Sequence, residues 1–280
     1  MKRVICEKNT LANPIGTVID TKIDNLREDY QFIVICACKE RRVKMEKQFR
    51  ALGLDINVEY MNASTPYNSR EYFGSDLEDI SKQKVMCCCR SHIRAMDYGN
   101  DSRYRYSIVV EDDVCFLKNG FIDKVEEIIR NWDECEMSIP LASRERLLVS
   151  IGWVPVENYS FYEEVCDPDS LRLPVDVYPF QVSGTQAYII RNMPYRLNTD
   201  TYKEYIDEVS KISLTKDCSV DELAIADVVL TGCLFRQLIA FPPLVIEMDV
   251  PSLLGHEQCK YWEKYFAGHE IERDKYLTSP

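Results

Sequence analysis

The chain has 280 residues, of which 46% are hydrophobic and 29% are charged, a composition that can bury a core and excludes a disordered tail. Its 34 Lys and Arg residues against 46 Asp and Glu residues give a formal net charge of −12. Such a charge repels a phosphate backbone, so nucleic-acid binding is excluded as a leading function and no nucleic-acid partner is expected. An acidic enzyme with a local basic pocket is compatible with this balance.

Residues 1–30 form an N-terminal arm without a clear pattern of its own. The next segment, QFIVICAC at 31–38, is almost continuously apolar and predicts a strand buried on both faces. Residues 40–54 have the spacing of an amphipathic helix that Gly53 ends, and residues 55–61 alternate as a second strand. Because strand, helix and strand follow one another, the pattern predicts a βαβ unit with parallel pairing.

The later segments continue the α/β pattern without an internal repeat or a linker, so one domain is expected. A helix at 81–100 carries three consecutive cysteines, and a strand at 106–110 ends abruptly in three acids. Further predicted elements are a helix at 121–132, a strand at 147–153, a turn at Ser183-Gly184-Thr185 followed by the strand AYII, helices at 201–214 and 219–230, and a last strand at 233–241.

The cysteines and the N-terminus bear on the cellular compartment. The opening MKRVICEKNT lacks the apolar stretch of a signal peptide, and no run of about 18 apolar residues predicts a transmembrane segment. We therefore expect a cytoplasmic protein whose twelve cysteines stay reduced. A zinc site of Cys87, Cys89 and His92 is conceivable, but adjacent cysteines are poorly spaced for zinc, and the preferred interpretation is that these thiols are small buried hydrophobes.

The most informative motif is Glu111-Asp112-Asp113, at the end of a predicted buried strand. In open α/β sheets, ligands bind outside the carboxyl ends of the strands. Three consecutive acids repel one another unless a positive group compensates them, and Mg²⁺ or Mn²⁺ bound by one or two carboxylates and by substrate phosphate oxygens would do so. The alternative is a solvated strand-to-helix turn. The glycine-rich motifs of ordinary Rossmann dehydrogenases and P-loop NTPases are absent.

Five motifs follow one another along residues 31–250. They are a strand, an arginine-bearing helix and a strand ending in N-A at 32–63; Cys89-Arg90-Ser91-His92-Ile93-Arg94-Ala95-Met96 followed by YSIVVEDDV; GTQAYI at 184–189; VDE at 220–222; and FPPLV at 241–245. In this order they resemble the family 25 glycosyltransferases, which include lipooligosaccharide and collagen galactosyltransferases. The family has a G-C-x-x-S-H-x-x-A helix before a strand ending in L-E-D-D-V, and here a Cys replaces the Gly.

The resemblance implies an α/β fold of the GT-A type over residues 31–258, with residues 259–280 as a tail. This fold has a mostly parallel central sheet flanked by helices and a smaller mixed acceptor-side sheet. The resemblance also implies a Mn²⁺ or Mg²⁺ ion and a nucleotide-sugar donor, with a UDP-sugar expected. A hexose such as galactose or glucose would move, with inversion, to a hydroxyl of a glycan, a lipid-linked sugar or a protein.

Transferred residue by residue, the resemblance makes Asp113 a metal ligand. Glu111 would act on the metal through water or on the ribose, and Asp112 would be a further donor-site residue. His256, which follows Gly255 after the P-P-L-V strand, would bind the metal or the diphosphate, with a surface position at a helix cap as the alternative. His92 is expected to be structural and to hold its helix near the donor site.

The remaining implied residues contact the donor or act on the acceptor. They are Arg41 and Arg42 for the phosphates or base, Asn62 and Ala63 beside the nucleobase, and Asp221, with Glu222 next, as the base that takes the acceptor proton. The alternative for both arginines is a solvated helix N-terminus, and for both acids it is helix capping. Two other functions stay open, a metal-dependent phosphoesterase or nuclease and a degenerate glycosyltransferase fold that only binds a partner.

Overall fold

The computed structural model describes residues 26–54, 57–68, 80–136, 147–155, 182–192, 226, 236–240, 243–247 and 273–277. Within these ranges, the α-helices are α1 (Lys39–Ala51), α2 (Ile80–Asn100) and α3 (Phe121–Glu136). The strands are β1 (Tyr30–Cys36), β2 (Val58–Asn62), β3 (Tyr106–Glu111), β4 (Val114–Phe116), β5 (Leu147–Pro155), β6 (Val182–Arg191), β7 (Arg236–Ile239) and β8 (Val245–Glu247). Short 3-10 turns occupy Leu26–Glu28 and Arg273–Lys275.

The described strands join one mixed sheet in the order β2-β1-β3-β6-β5-β8-β4, and β7 pairs with β5. One half of it is parallel, because β1 lies between β2 and β3 and runs in the direction of both. Strand β6 then reverses the direction, since it pairs antiparallel with both β3 and β5. This reversal brings the start of β6 beside the end of β3, and these two segments form part of the site.

Helices cover both faces of the parallel half. On one face, Phe32 and Val34 of β1 pack with Phe49 of α1 and Phe121 of α3 in a large buried cluster. On the other face, a smaller cluster joins alternate residues of the same strands to α2. It contains Ile33, Ile35, Ala95, Met96, Val109, Leu148, Tyr188 and Ile190. Since successive strand side chains point to opposite faces, the continuous apolar run of β1 supplies both clusters.

Helix α2 lies very close to the sheet at its C-terminal end. A Cβ added at Gly99 would lie only 2.5 Å from Ser107 Oγ of β3, so glycine permits the approach. Farther along β3, the face that carries Val109 packs against Met96 of α2. This contact sets the helix so that its middle turns pass over the carboxyl end of β3.

Within the described ranges, none of the helices has the length and apolarity that a membrane crossing requires.

Several predicted elements are confirmed, and the βαβ unit with parallel β1 and β2 is among them. The predicted turn at Ser183-Gly184-Thr185 is wrong, because these residues lie inside the continuous strand β6. Gly184 has φ of +100°, a backbone that glycine adopts without strain, and the sequence signal for a turn comes from this residue. The strand predicted last is followed by β8, and the short β4 was not predicted.

The expected mostly parallel sheet is not confirmed, since antiparallel pairs join β3 to β6, β5 to β6 and β4 to β8. The eight described strands also join one sheet, without a separate acceptor-side sheet among them. What the structure supports is a mixed α/β sheet. The helices predicted at 201–214 and 219–230 lie outside the described residues, apart from the helical Ala226.

Candidate active site

The candidate site lies where the three parallel strands end. Strand β1 ends at Cys36, and its register places Cys36 beside Asn62 of β2 and Ile35 beside Glu111 of β3. Parallel strands present their carboxyl ends at one edge of the sheet, which is where open α/β sheets bind ligands. The edge therefore collects the acid triplet, the start of α1 and the segment that follows β2.

Strand alternation sends the first two acids to opposite faces. Val109 belongs to the cluster under α2, and Val110 belongs to the cluster under α1 and α3. Glu111 continues the alternation and contacts His92 of α2, whereas Asp112 contacts Arg41 of α1. Neighbours in sequence thus obtain different partners, and the mutual repulsion expected for three adjacent carboxylates is reduced.

Asp112 joins the ends of two strands. Its Oδ2 accepts a hydrogen bond from the backbone N–H of Ala37 at 2.6 Å, directly after β1, and its Oδ1 accepts one from Arg41 Nη1 at 3.1 Å. Burial raises the pKa of this carboxyl above its ordinary value, although the Ala37 N–H and the Arg41 guanidinium act in the opposite direction. Because both of its oxygens accept hydrogen bonds from the protein, Asp112 links the end of β3 to the end of β1 and to α1.

Asp113 differs from the other two acids because one of its carboxylate oxygens has no hydrogen-bond partner. Its Oδ2 accepts from Arg41 Nη1 at 3.0 Å, while its Oδ1 is buried and has no hydrogen-bond partner. Burial and the negative charge of Glu111 raise the pKa of Asp113 to about 7, against the influence of Arg41. A buried carboxylate oxygen without a donor is costly, and a hard divalent cation binds such oxygens. The site therefore fits the Mg²⁺ or Mn²⁺ ion that the motif implies.

Glu111 has its hydrogen-bond partners on the α2 side of the sheet and on β6. Its Oε1 accepts a hydrogen bond from the Thr185 hydroxyl at 2.8 Å and lies 3.3 Å from His92 Nε2. Burial acts to raise the pKa of Glu111, but the hydrogen bonds with His92 and Thr185 and the nearby charge of Arg41 together outweigh it, so the pKa lies below its ordinary value. His92 is itself buried, and its Nδ1 lies 3.1 Å from the Tyr188 hydroxyl.

The two candidate arginines have different environments. Arg41 is mostly buried and bridges Asp112 and Asp113, and these acids raise its pKa although burial opposes them. Arg42 is exposed; its Nε donates to Glu46 at 2.9 Å, and its guanidinium lies 4.8 Å from the centre of the Tyr60 ring. Only Arg41 therefore contacts the acid triplet, and Arg42 lies on the outer side of α1 toward β2.

The segment after β2 borders the site. Asn62 is exposed, and its carbonyl accepts from Arg94 at 3.3 Å. The N–H of Ala63 donates to the carbonyl of Cys36 at 2.8 Å, which extends the pairing of β1 and β2. The next N–H, of Ser64, donates to Ser91 Oγ of α2 at 2.8 Å. Ser91 of the sequence motif thus fixes the loop that was predicted to lie beside a nucleobase.

The structure brings six of the predicted site residues to the carboxyl edge or next to it. They are Arg41, Asn62, Ala63, Glu111, Asp112 and Asp113, whereas Arg42 lies on the outer side of α1. Asp221, Glu222 and His256 lie outside the described residues, so their roles stay predictions. Sequence reasoning missed the contribution of Thr185, because the motif was assigned to a turn, and that of the Ala37 N–H, which no side-chain pattern indicates.

Cys88 also lies next to this edge. Its Sγ, a nitrogen of His92 and a carboxylate oxygen of Glu111 all lie within 4.8 Å of one another. The cysteines considered for a zinc site were Cys87 and Cys89, but both are buried and neither belongs to this group. The helical spacing of four residues places Cys88 and His92 on one face of α2, a signal that is visible in the sequence.

Comparisons with known proteins give only distant likenesses. No protein-family model and no curated protein matches the sequence. Matching solved structures include a glycosyltransferase involved in the glycosylation of the major capsid of PBCV-1, with 12% identity, 84% of this chain and 97% of that chain covered, and a TM-score of 0.35.

Two further matches are the galactosyltransferase LgtC, in complex with donor and acceptor sugar analogues, and the apo-form glycosyltransferase GlyE from Streptococcus pneumoniae TIGR4. LgtC has 11% identity, coverage of 85% of this chain and 83% of its own, and a TM-score of 0.38. GlyE has 8% identity, coverage of 89% of this chain and 65% of its own, and a TM-score of 0.36. At such identities and TM-scores the likeness is too distant to assign an activity to this chain.

Proposed function

We propose that the protein is a metal-dependent glycosyltransferase that uses a nucleotide sugar as donor. The observation that carries the proposal is the buried, unpartnered Oδ1 of Asp113 beside the cationic Arg41, at the carboxyl edge of parallel strands. This edge combines a carboxylate oxygen that can bind a divalent cation with the positive charge of Arg41. A diphosphate and its metal counter-ion are bound by groups of these two kinds. The order of the sequence motifs supports the same assignment.

In this proposal Asp113 holds Mn²⁺ or Mg²⁺ through Oδ1, with His256 as a further ligand of the metal or diphosphate. The bound cation would stabilise the charge of the departing nucleoside diphosphate. Arg41 fixes Asp112 and Asp113 before a ligand arrives, and in this proposal it also contacts a phosphate oxygen of the donor. Glu111 is held by His92 and Thr185, which leaves it an indirect role toward the metal or the ribose.

The donor and acceptor are proposed on the resemblance. A UDP-sugar would place its base against the Asn62–Ala63 segment, with Arg42 at the rim, and would transfer galactose or glucose. The acceptor hydroxyl belongs to a glycan, a lipid-linked sugar or a protein, and Asp221 takes its proton with Glu222 as the second choice. Inversion follows from this single displacement. We also propose that the protein acts in the cytoplasm, in line with the six described free thiols.

The decisive experiment incubates the full chain with a panel of nucleotide sugars and Mn²⁺, and detects donor cleavage and transfer by mass spectrometry. We expect cleavage of a UDP-hexose that EDTA abolishes. Asp113→Asn should lose Mn²⁺-dependent UDP binding, whereas Asp123→Asn, a matched change of an exposed acid on α3, should keep it. UDP binding that still depends on Mn²⁺ in Asp113→Asn would remove Asp113 as the metal ligand.

A separate variant tests the proposed base. Asp221→Asn should bind the donor normally and lose transfer, since the amide cannot take a proton from the acceptor. Near-normal transfer in this variant would reject Asp221. If the panel yields no cleavage and no donor raises the melting temperature, the transferase proposal is rejected. Metal-dependent cleavage of phosphodiesters alone would favour the phosphoesterase.

A further inference from the structure

A second cluster of metal-binding side chains lies on the α2 side of the sheet. It consists of Cys88 and His92 on α2 and Glu111 at the end of β3, and one ligand atom from each lies within 4.8 Å of the other two. Cys88 and His92 are four residues apart, so one face of the helix presents both. The three residues belong to α2 and β3, two elements that pack against each other. The cluster therefore lies at the border of the hydrophobic core, between this helix and the sheet.

We infer that Cys88, His92 and Glu111 form a binding site for Zn²⁺, separate from the cation at Asp113. A thiolate and an imidazole together favour zinc over the hard ions Mg²⁺ and Mn²⁺. The set of three protein ligands leaves a fourth position for water or another ligand, as in zinc sites that are not closed. The site goes beyond the proposed transferase activity and does not depend on it.

The distance between His92 and Glu111 supports the assignment. Their Nε2 and Oε1 atoms lie 3.3 Å apart, which is longer than the range of about 2.7–2.9 Å for a charge-assisted hydrogen bond. Two ligands at about 2.0–2.1 Å from one tetrahedral ion are separated by about 3.3 Å. The pair is therefore already spaced as two ligands of zinc would be, and Cys88 Sγ lies within 4.8 Å of both.

The surroundings of the cluster orient the ligands. His92 Nδ1 lies 3.1 Å from the Tyr188 hydroxyl, so a ring bound to zinc through Nε2 can donate its Nδ1 proton to that oxygen. The Thr185 hydroxyl donates to Glu111 at 2.8 Å and holds its carboxylate toward α2. Such outer partners are typical of metal ligands. Cys88 is half-buried and Glu111 is 24% exposed, so an ion can enter from solvent.

Binding is balanced by proton release. Zinc forms bonds to the sulfur of Cys88, the Nε2 of His92 and a carboxylate oxygen of Glu111, and the thiol proton of Cys88 passes to solvent. No oxidant, reductant or other co-reactant is required.

The test uses the full chain after removal of metals with EDTA, titrated with Co²⁺ and then with Zn²⁺. We expect one equivalent of Co²⁺ to give a near-ultraviolet thiolate-to-cobalt absorption that Zn²⁺ abolishes by displacement. Cys88→Ser should lose this absorption and bind Zn²⁺ at least tenfold more weakly, whereas Cys38→Ser, which changes an exposed cysteine before α1, should behave like the parent.

Two more variants keep the test decisive. Glu111→Gln retains the size of the side chain and should weaken Zn²⁺ binding about tenfold or more. Circular dichroism checks that Cys88→Ser and Glu111→Gln fold. Asp113→Asn should lose the response to Mn²⁺ and keep the cobalt absorption, so failure of either metal site is recognised separately. The proposal is overturned if the parent gives no thiolate absorption, if Cys88→Ser retains it, or if Glu111→Gln binds Zn²⁺ like the parent.

Discussion

The titration of Asp113 provides a sharp test of the site without any ligand. Burial and the charge of Glu111 raise the pKa of this carboxyl to about 7 in the folded protein, against about 3.9 in an unfolded chain. The folded state therefore retains a proton that the unfolded state has already released. Consequently the contribution of Asp113 to the free energy of unfolding is complete below about pH 4 and is lost as the pH rises through about 7.

The size of this contribution follows from the shift. About three pKa units correspond to about 4 kcal/mol at most, and about 3 kcal/mol of it falls between about pH 4.5 and about pH 7.5. In Asp113→Asn the amide does not ionise, and the buried site is otherwise similar in volume. We therefore expect the free energy of unfolding of the variant, relative to the parent, to increase by about 3 kcal/mol over that range.

The measurement is urea unfolding in EDTA, followed by circular dichroism at a series of pH values for parent, Asp113→Asn and Asp123→Asn. The control changes an exposed acid on α3 and should run parallel to the parent at every pH. If Asp113→Asn also runs parallel to the parent, Asp113 titrates normally, and the account of its oxygen as buried and unpartnered is incorrect.

Three further results are expected. Mn²⁺ should raise the melting temperature of the parent more at about pH 8 than at about pH 5, because a protonated Asp113 does not ligate it, and differential scanning fluorimetry measures this. Arg41→Met should lower the free energy of unfolding in urea by about 3 kcal/mol, since two mostly buried acids lose their cation, whereas Arg42→Met should leave the curve nearly unchanged. Gly184→Ala should destabilise by about 2 kcal/mol, because it would place a methyl group against the side chain of Gln186 at a positive φ, and an unchanged melting temperature would contradict this.

The sequence predicts well the elements whose patterns are local. The apolar run QFIVICAC and the amphipathic spacing of the segment after it are each visible within one segment, and both elements form close to the predicted bounds. Gly184 shows where such reasoning fails. A glycine between Ser and Thr favours a turn, but pairing of β6 with β3 and β5 on its two sides keeps the segment extended, and only tertiary contacts supply that pairing.

The acids of the candidate site could be predicted from the sequence, but the side chains that contact each acid could not. A triplet at a strand end identifies Glu111, Asp112 and Asp113, because chain order and the sheet edge are both visible in sequence. Their separate environments depend on which helix covers which face. The contacts of Arg41 and His92 with different acids follow from this layer arrangement, which the sequence pattern does not contain.

The division of the acids between two faces changes the argument for a metal. As a row of three charges, the triplet demands a cation simply to relieve repulsion. In the folded chain Arg41 compensates Asp112 and one oxygen of Asp113, while His92 and Thr185 engage Glu111. Repulsion is therefore partly relieved without an ion, although the charge of Glu111 still raises the pKa of Asp113. The case for Mn²⁺ or Mg²⁺ depends mainly on the unpartnered oxygen of Asp113. Since Glu111 lies on the α2 side with a thiol and an imidazole, the same strand end offers a hard ligand on one side and a softer ligand set on the other.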